Sequence, residues 1–371
     1  MIATLKDLVF GFFIGLANII PGVSGGTFLL VFGIYERVIR SINQISGSLK
    51  ELAAGVVGMP AFLGDHDKRN HFVERLHLSD IPFLVRLILG ALVAIISLSS
   101  LMKFLLNNHF VYTYAFFFGL ILVSVLIPLR LMKKRTWHLL IFAALGIGLT
   151  VFVSASVNPA DKARLKSEHY RARYETASPG TETGRSSEDK SGMLTYTGRY
   201  TAVEFAGAAA AGATAVSAMV LPGISGSLVL ILLGRYYEII SAVSALRNPS
   251  LDIILYLAAF AAGMAVGLPL FARLVGYVLQ RYHDQTMAFL TGLMVGSLYA
   301  LWPFKHAEVM DLYARAGDRI TLVRDALVYT NANTLPERPM IAFWAGLSCL
   351  AGVVGMSFFV RREIEAEEKE A

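Results

Sequence analysis

Two short stretches of this 371-residue chain carry residue types suited to anion chemistry, and they are near copies of each other. Pro21-Gly22-Val23-Ser24-Gly25-Gly26-Thr27 is echoed by Pro222-Gly223-Ile224-Ser225-Gly226-Ser227, and each leads into an apolar run. A glycine-rich break just before a helix leaves the first-turn N–H groups unpaired at the positive end of the helix dipole, which suits a phosphate. Gly25, Gly26 and Thr27, and Gly226 with Ser227, stand at that place. Ser24 and Ser225 can cap the following arm and also donate a hydroxyl to an anion. Pro21, Gly22, Pro222 and Gly223 shape the loops, because proline removes a donor and glycine a side chain. The competing reading is that both motifs only kink packed helices, with the serines satisfying backbone carbonyls.

Charged residues near the apolar arms are the next candidates. Arg235 follows Ser227 by 235 − 227 = 8 residues and can counter a phosphate; Arg37 adjoins the end of its own arm. Arg86 and Arg273 lie in or near spans and either face an anion or snorkel to the interface, the second being the preferred reading for Arg86. Glu36 and Glu238 are candidates for proton coupling, although 36 + 201 = 237 is Tyr237, so they are not matched. His66, His71 and His77 lack metal spacing and sit among Phe62, Phe72, Val73, Leu76 and Leu78, a pattern that predicts an amphipathic surface helix. With one cysteine, Cys349, the chain has no internal disulfide and no cysteine-based metal site. No nucleophile with a companion histidine and acid, no P-loop and no dinucleotide fingerprint occurs.

The elements that must position these residues are membrane spans. Apolar residues make up 55% of the chain and charged ones 16%, which excludes disorder and argues against a soluble enzyme. The net charge of +6 is too diffuse for a nucleic-acid partner. The chain is internally repeated: residues 21–39 match 222–240 at an offset of 201, and Gly90, Ala115, Phe116, Gly119 and Ser124 match Gly263, Ala288, Phe289, Gly292 and Ser297 at 173. Each half has one long apolar region broken by the Pro-Gly motif, then three unbroken blocks: 82–107, 111–131 and 136–157, and 251–281, 285–303 and 339–360.

The broken region's arms, 5–20 and 27–45, together run about 60 Å, too long for one crossing of a core about 30 Å thick. Crossing twice or dipping in and returning both add an even number of crossings, so each half crosses an odd number of times and the second half is inverted. Unpaired loop backbone favours a re-entrant hairpin covered by protein or lining a polar cavity. The expected fold is an all-α polytopic membrane protein of two inverted repeats, each a re-entrant helical hairpin plus three transmembrane helices. Residues 1–157 form the first repeat, 158–200 a polar extracytoplasmic linker, 201–361 the second repeat and 362–371 a charged C-terminal tail. The amino terminus does not read as a cleavable signal. Arg130, Lys133, Lys134 and Arg135, with Arg361-Arg362, put both termini in the cytoplasm, although the cations of the 158–200 loop count against this.

Residues 17–27 (ANIIPGVSGGT) with the Gly33-Ile34-Tyr35-Glu36-Arg37 that follow, and residues 217–227 (SAMVLPGISGS), resemble the two signatures of a bacterial polyprenyl-phosphate (undecaprenyl-phosphate) transporter family of the PopT type. The resemblance covers most of the chain. It implies return of undecaprenyl phosphate from the outer to the cytoplasmic leaflet of the bacterial inner membrane, for reuse in envelope polymers. It implies no enzyme activity and no cofactor, with a proton or sodium gradient as the candidate driving force. The partners are then the lipid and the bilayer, and the loop at 158–200 is longer than the family leads one to expect. A phosphate headgroup meets a high barrier in hydrocarbon while its tail does not, so two facing anion-binding loops in a laterally open site would suffice. A channel or secondary carrier for a small soluble anion would use the same loops. An intramembrane lipid phosphatase is disfavoured by the lack of a clustered histidine, arginine and acid set.

Overall fold

A computed structural model describes residues 2–19, 24–47, 80–134, 136–156, 158, 160–161, 163–165, 167–168, 171, 201–244, 251–316, 319–336 and 338–370. The predicted amphipathic helix around 62–78, the loop residues Pro21 and Gly22, and most of the 158–200 linker lie outside the described residues.

The first apolar arm forms α1 (Ile2–Ile19). The second arm, expected as one helix over 27–45, is two: α2 (Gly25–Val31) and α3 (Tyr35–Gly47). Gly33 separates them with φ at +65°, a left-handed turn that costs glycine nothing. The second half repeats this with α8 (Ala202–Val220), α9 (Gly226–Leu232) and α10 (Tyr236–Ser244), and Gly234 turns at φ +67°. The helix starts keep the sequence offset, since 226 − 25 and 236 − 35 both equal 201.

The unbroken blocks form α4 (Ile81–Asn108), α5 (Phe110–Ser124), a short α6 (Leu126–Leu131) and α7 (Leu139–Ala155) in the first half. In the second they form α11 (Leu251–Arg281), α12 (His283–Ala300) and α13 (Pro339–Glu370). Among the described residues, five stretches are long and apolar enough to cross a membrane: Ile81–Leu98, Phe110–Leu131, Ala202–Val220, Leu251–Arg281 and Pro339–Phe358. This is a helical, multi-pass membrane protein. Helix α12 is less apolar because it needs less lipid compatibility; most of its residues are buried among other helices.

Four helix pairs build the body, α1 with α4, α8 with α11, α5 with α13, and α7 with α12. All four are mated through glycine, whose missing side chain lets backbones touch. A Cβ at Gly90 would collide with the Leu8 carbonyl oxygen, at Gly263 with that of Ala209, at Gly119 with that of Cys349 and at Gly292 with that of Ala143. The last two pairs cross between halves, because α5 packs on α13 and α12 on α7. The outer faces carry large exposed apolar side chains such as Ile96, Leu140, Phe152, Val266 and Leu270, the surface expected against lipid tails.

The fold is mostly helical, as expected, with one addition: the charge-balanced segment after α12 forms an antiparallel ribbon of β1 (Lys305–Ala316) and β2 (Arg319–Asn333). Its run of Val, Ile, Leu, Tyr and Thr suits paired extended backbone, and Phe110–Tyr329 stacking and an Asn331 bond to the Ser154 carbonyl seat it on the helices. Helix α13 continues through the charged C-terminal residues to Glu370.

Candidate functional site

The two motif loops meet. Ser24 caps α2, its Oγ accepting from Gly26 N at 3.2 Å while donating to the Leu221 carbonyl at 2.9 Å, at the threshold of the second motif. Gly26 lies so close to the Val220 and Leu221 backbone that a Cβ would clash there. Gly25 N donates to Asn18 Oδ1 at 3.2 Å, which ties the loop back to α1. Ser24, Gly25, Gly26 and Thr27 are all buried.

The second loop is built differently. Pro222 is buried, and Gly223 follows it at φ +81° in the Pro-Gly arrangement of a type II turn. Ser225 caps α9, its Oγ accepting a long 3.4 Å bond from Leu228 N. Its hydroxyl also shares a 2.8 Å hydrogen bond with that of Ser227, and this pair faces outward. Gly226 is buried, Ser225 half-buried and Ser227 exposed. One motif is therefore closed into the protein, while the other presents hydroxyls.

The charged candidates do not gather around the serines. Arg235 stands past the far end of α9, a helix of 7 residues that spans about 10 Å. Its guanidinium donates to Glu238 Oε2 at 2.7 Å and lies against Gly207 of α8. The other Glu238 oxygen is buried without a hydrogen-bond partner among the described residues. The first half has a related cluster at the start of α3, where Arg37 lies 3.8 Å over the Phe83 ring and bonds both Asp80 oxygens at 2.8 Å. That grip holds the Asp80 carboxyl below its ordinary range. Phe83 and Tyr256 are repeat equivalents, 256 − 83 = 173, and both are fully buried.

Arg86 does not snorkel: its Nε and guanidinium NH2 donate to Asp7 Oδ2 at 2.9 and 2.7 Å, joining α4 to α1. Asp7 is buried, and a carboxylate there requires a cation. Arg273 is exposed on α11 and forms no ion pair among the described residues. Glu36 faces His283 of α12 at 3.6 Å, and Asp284 accepts from Lys133 N and Lys134 N at 2.8 and 3.0 Å. Among the described residues no cluster of metal-ligating side chains occurs.

Sequence reasoning missed Asp7, Asn18, Asp80 and His283. Asp7 had a signal, an acid in an otherwise apolar arm. The others had none, because their partners lie 7, 43 and 247 residues away (25 − 18, 80 − 37 and 283 − 36).

A profile of the undecaprenyl phosphate translocase-like family matches residues 14–317. The chain is 30% identical over 367 residues to a polyprenyl-phosphate transporter of Vibrio cholerae serotype O1, covering 96% of this chain and 97% of that protein. It is 28% identical over 302 residues to a polyprenyl-phosphate transporter of Staphylococcus aureus, covering 80% of this chain and 86% of that one. No solved structure matches the chain. A match across most of the length, centred on a fold whose two motif loops touch, makes this chain a member of the undecaprenyl phosphate translocase-like family.

Proposed function

We propose that this protein carries undecaprenyl phosphate, or a similar polyprenyl phosphate, from the outer to the cytoplasmic leaflet of a bacterial inner membrane, recycling the lipid carrier for envelope synthesis. The observation that carries the reading is the junction of the two motif loops, Ser24 bonded to the Leu221 carbonyl with the Ser225–Ser227 hydroxyls presented beside it. The matched relatives, named polyprenyl-phosphate transporters, supply the substrate class.

In this mechanism the two repeats, 1–157 and 201–361, are inverted, each with a re-entrant hairpin, and the 158–200 linker lies outside while both termini lie inside. The headgroup is received by Ser225, Gly226 and Ser227. Ser24, Gly25, Gly26 and Thr27 reach it only when the loops part, because their groups are otherwise bonded within the junction. Pro21, Gly22, Pro222 and Gly223 are the loop-shaping residues in this scheme, proline lacking a donor and glycine a side chain. Arg235 is the next cation along the path, and Arg273 serves the outer surface of α11. Glu238, with one oxygen unpaired, is a proton carrier in this scheme, and Glu36 beside His283 is a second. The prenyl tail stays in lipid throughout, so only the phosphate needs a polar route.

The test is leaflet exchange of a fluorescent polyprenyl phosphate in proteoliposomes, with and without a pH gradient. Wild-type protein exchanges the lipid, the Ser225→Ala/Ser227→Ala variant slows it, and a gradient biases its direction. Release of inorganic phosphate would indicate a phosphatase instead. Uptake of inorganic phosphate without lipid exchange would replace this reading with a soluble-anion carrier.

A further inference from the structure

Outside the motif junction, the structure has a groove of mixed apolar and polar lining where the two halves face each other. It lies between α3 and the last turns of α11, has a volume of about 350 Å³, and is lined by Glu36, Arg40, Asn43, Gln44, Gly276 and Gln280 among others. That space holds a phosphate with several waters, each of which takes roughly 30 Å³ in the liquid. Its polar lining holds one guanidinium and three amides against a single carboxylate, with the Asn43 amide nitrogen donating to the Ala272 carbonyl at 3.1 Å. That carboxylate, Glu36, has the His283 ring 3.6 Å away.

Three features select the groove's occupant. Arg40 is exposed and forms no ion pair among the described residues. Gly276 leaves room, since a Cβ there would press on Asn43 Nδ2 at 2.8 Å. On α11, Arg273, Gly276, Tyr277 and Gln280 fall at spacings of three and four, so they share one stripe. The same helix exposes Leu270, Leu274 and Tyr277 to the surroundings, and this apolar surface adjoins the donors. An anion with an attached apolar chain fits that combination better than a free anion.

The groove adjoins the Lys133–Lys134 loop, because Glu36 faces His283 and its neighbour Asp284 accepts from both lysine N–H groups. The repeat equivalents of Arg40 and Asn43 are Ser241 and Ser244, and those of Gly276 and Gln280 are Lys103 and Asn107 (40 + 201, 43 + 201, 276 − 173 and 280 − 173), so the corresponding positions of the other half carry different donors.

We infer that the groove between α3 and α11 is a berth for a phosphate monoester headgroup at the membrane face of the basic loop, its prenyl tail lying on the outer surface of α11. The inference rests on the transport reading above and adds a second station to the path. Arg40 and Arg273 flank the headgroup, and Gln44 and Gln280 supply neutral donors, while Asn43 is held to the Ala272 carbonyl.

Protection of an engineered cysteine tests it. In full-length protein carrying Cys349→Ser and Gln44→Cys, maleimide labelling is followed with a short-chain polyprenyl phosphate, the matching free polyprenol, or inorganic phosphate. The lipid phosphate slows labelling, the polyprenol does not, and inorganic phosphate does so only at far higher concentration. Adding Arg40→Ala weakens protection by about tenfold, the loss of a hydrogen bond to a charged group, and Arg40→Lys restores part of it. Unchanged labelling in protein that still exchanges the lipid between leaflets overturns the berth and leaves transport standing. Absent exchange alongside clear protection overturns transport and keeps the berth. Equal protection by inorganic phosphate overturns the lipid as occupant, and protection that survives Arg40→Ala overturns the guanidinium's part.

Discussion

The two halves share a motif and a helix order, yet they use them differently. Ser24 is buried and its hydroxyl joins the halves, whereas Ser225 and Ser227 bond each other at an accessible surface. The first half also locks α1 to α4 with the Asp7–Arg86 pair, where the second has Ala208 and Ala259 (7 + 201 and 86 + 173). Duplication supplied one scaffold, and divergence made the first half the more tightly tied and the second the more available.

The strongest way to break this comparison is Asp7→Ala, which strands the Arg86 guanidinium. Loss of one partner from a buried pair costs about 3 to 5 kcal/mol; partial exposure of Arg86 argues for the lower end. Thermal unfolding in detergent should show a large drop, and Asp7→Ala/Arg86→Ala, which copies the second half, should recover most of it. If the double variant is as unstable as the single one, the pair is not an isolated latch.

Ser24→Ala sharpens the contrast between the loops. It removes a helix cap and the bond to the Leu221 carbonyl, so stability should fall by about 1 to 2 kcal/mol. Ser225→Ala/Ser227→Ala should cost less, about 0.5 kcal/mol for the long and weak Ser225 cap, and slow leaflet exchange by roughly tenfold through lost bonds to an anion. Reversed outcomes, with Ser24→Ala stable and the Ser225/Ser227 variant unfolded, would interchange the two roles.

The smallest effect is at Asp80, which is partly exposed with Arg37. Because its folded carboxyl titrates below the ordinary value, its contribution is complete above about pH 4 and is lost as pH falls through the lower folded value. Asp80→Asn should cost about 0.5 to 1 kcal/mol and flatten that part of the acid-stability curve, read by unfolding in detergent between neutral and acid pH.

Much of the fold was legible in the residues. Apolar blocks marked the spans, and the offsets of 201 and 173 recur in the helix starts of α9 and α10 and in the mated glycines Gly90 and Gly263. Serine before a glycine run announced the caps of α2 and α9. The break at Gly33 was not read, because a lone glycine in an apolar run is compatible with a continuous helix until its φ is known. The ribbon Lys305–Asn333 was hidden by charge balance, which resembles a loop when alternation is ignored.

The sequence by itself determined a helical membrane protein with two copies of an anion-suited loop, since hydrophobic length and repeated motifs are local properties of the chain. Only the tertiary structure decided that α5 and α12 each pack into the opposite half, that one serine is closed and its counterpart open, and that Arg40 faces a groove shaped by Gly276. Those outcomes depend on which backbones approach within contact distance across hundreds of residues, a relation no local pattern encodes.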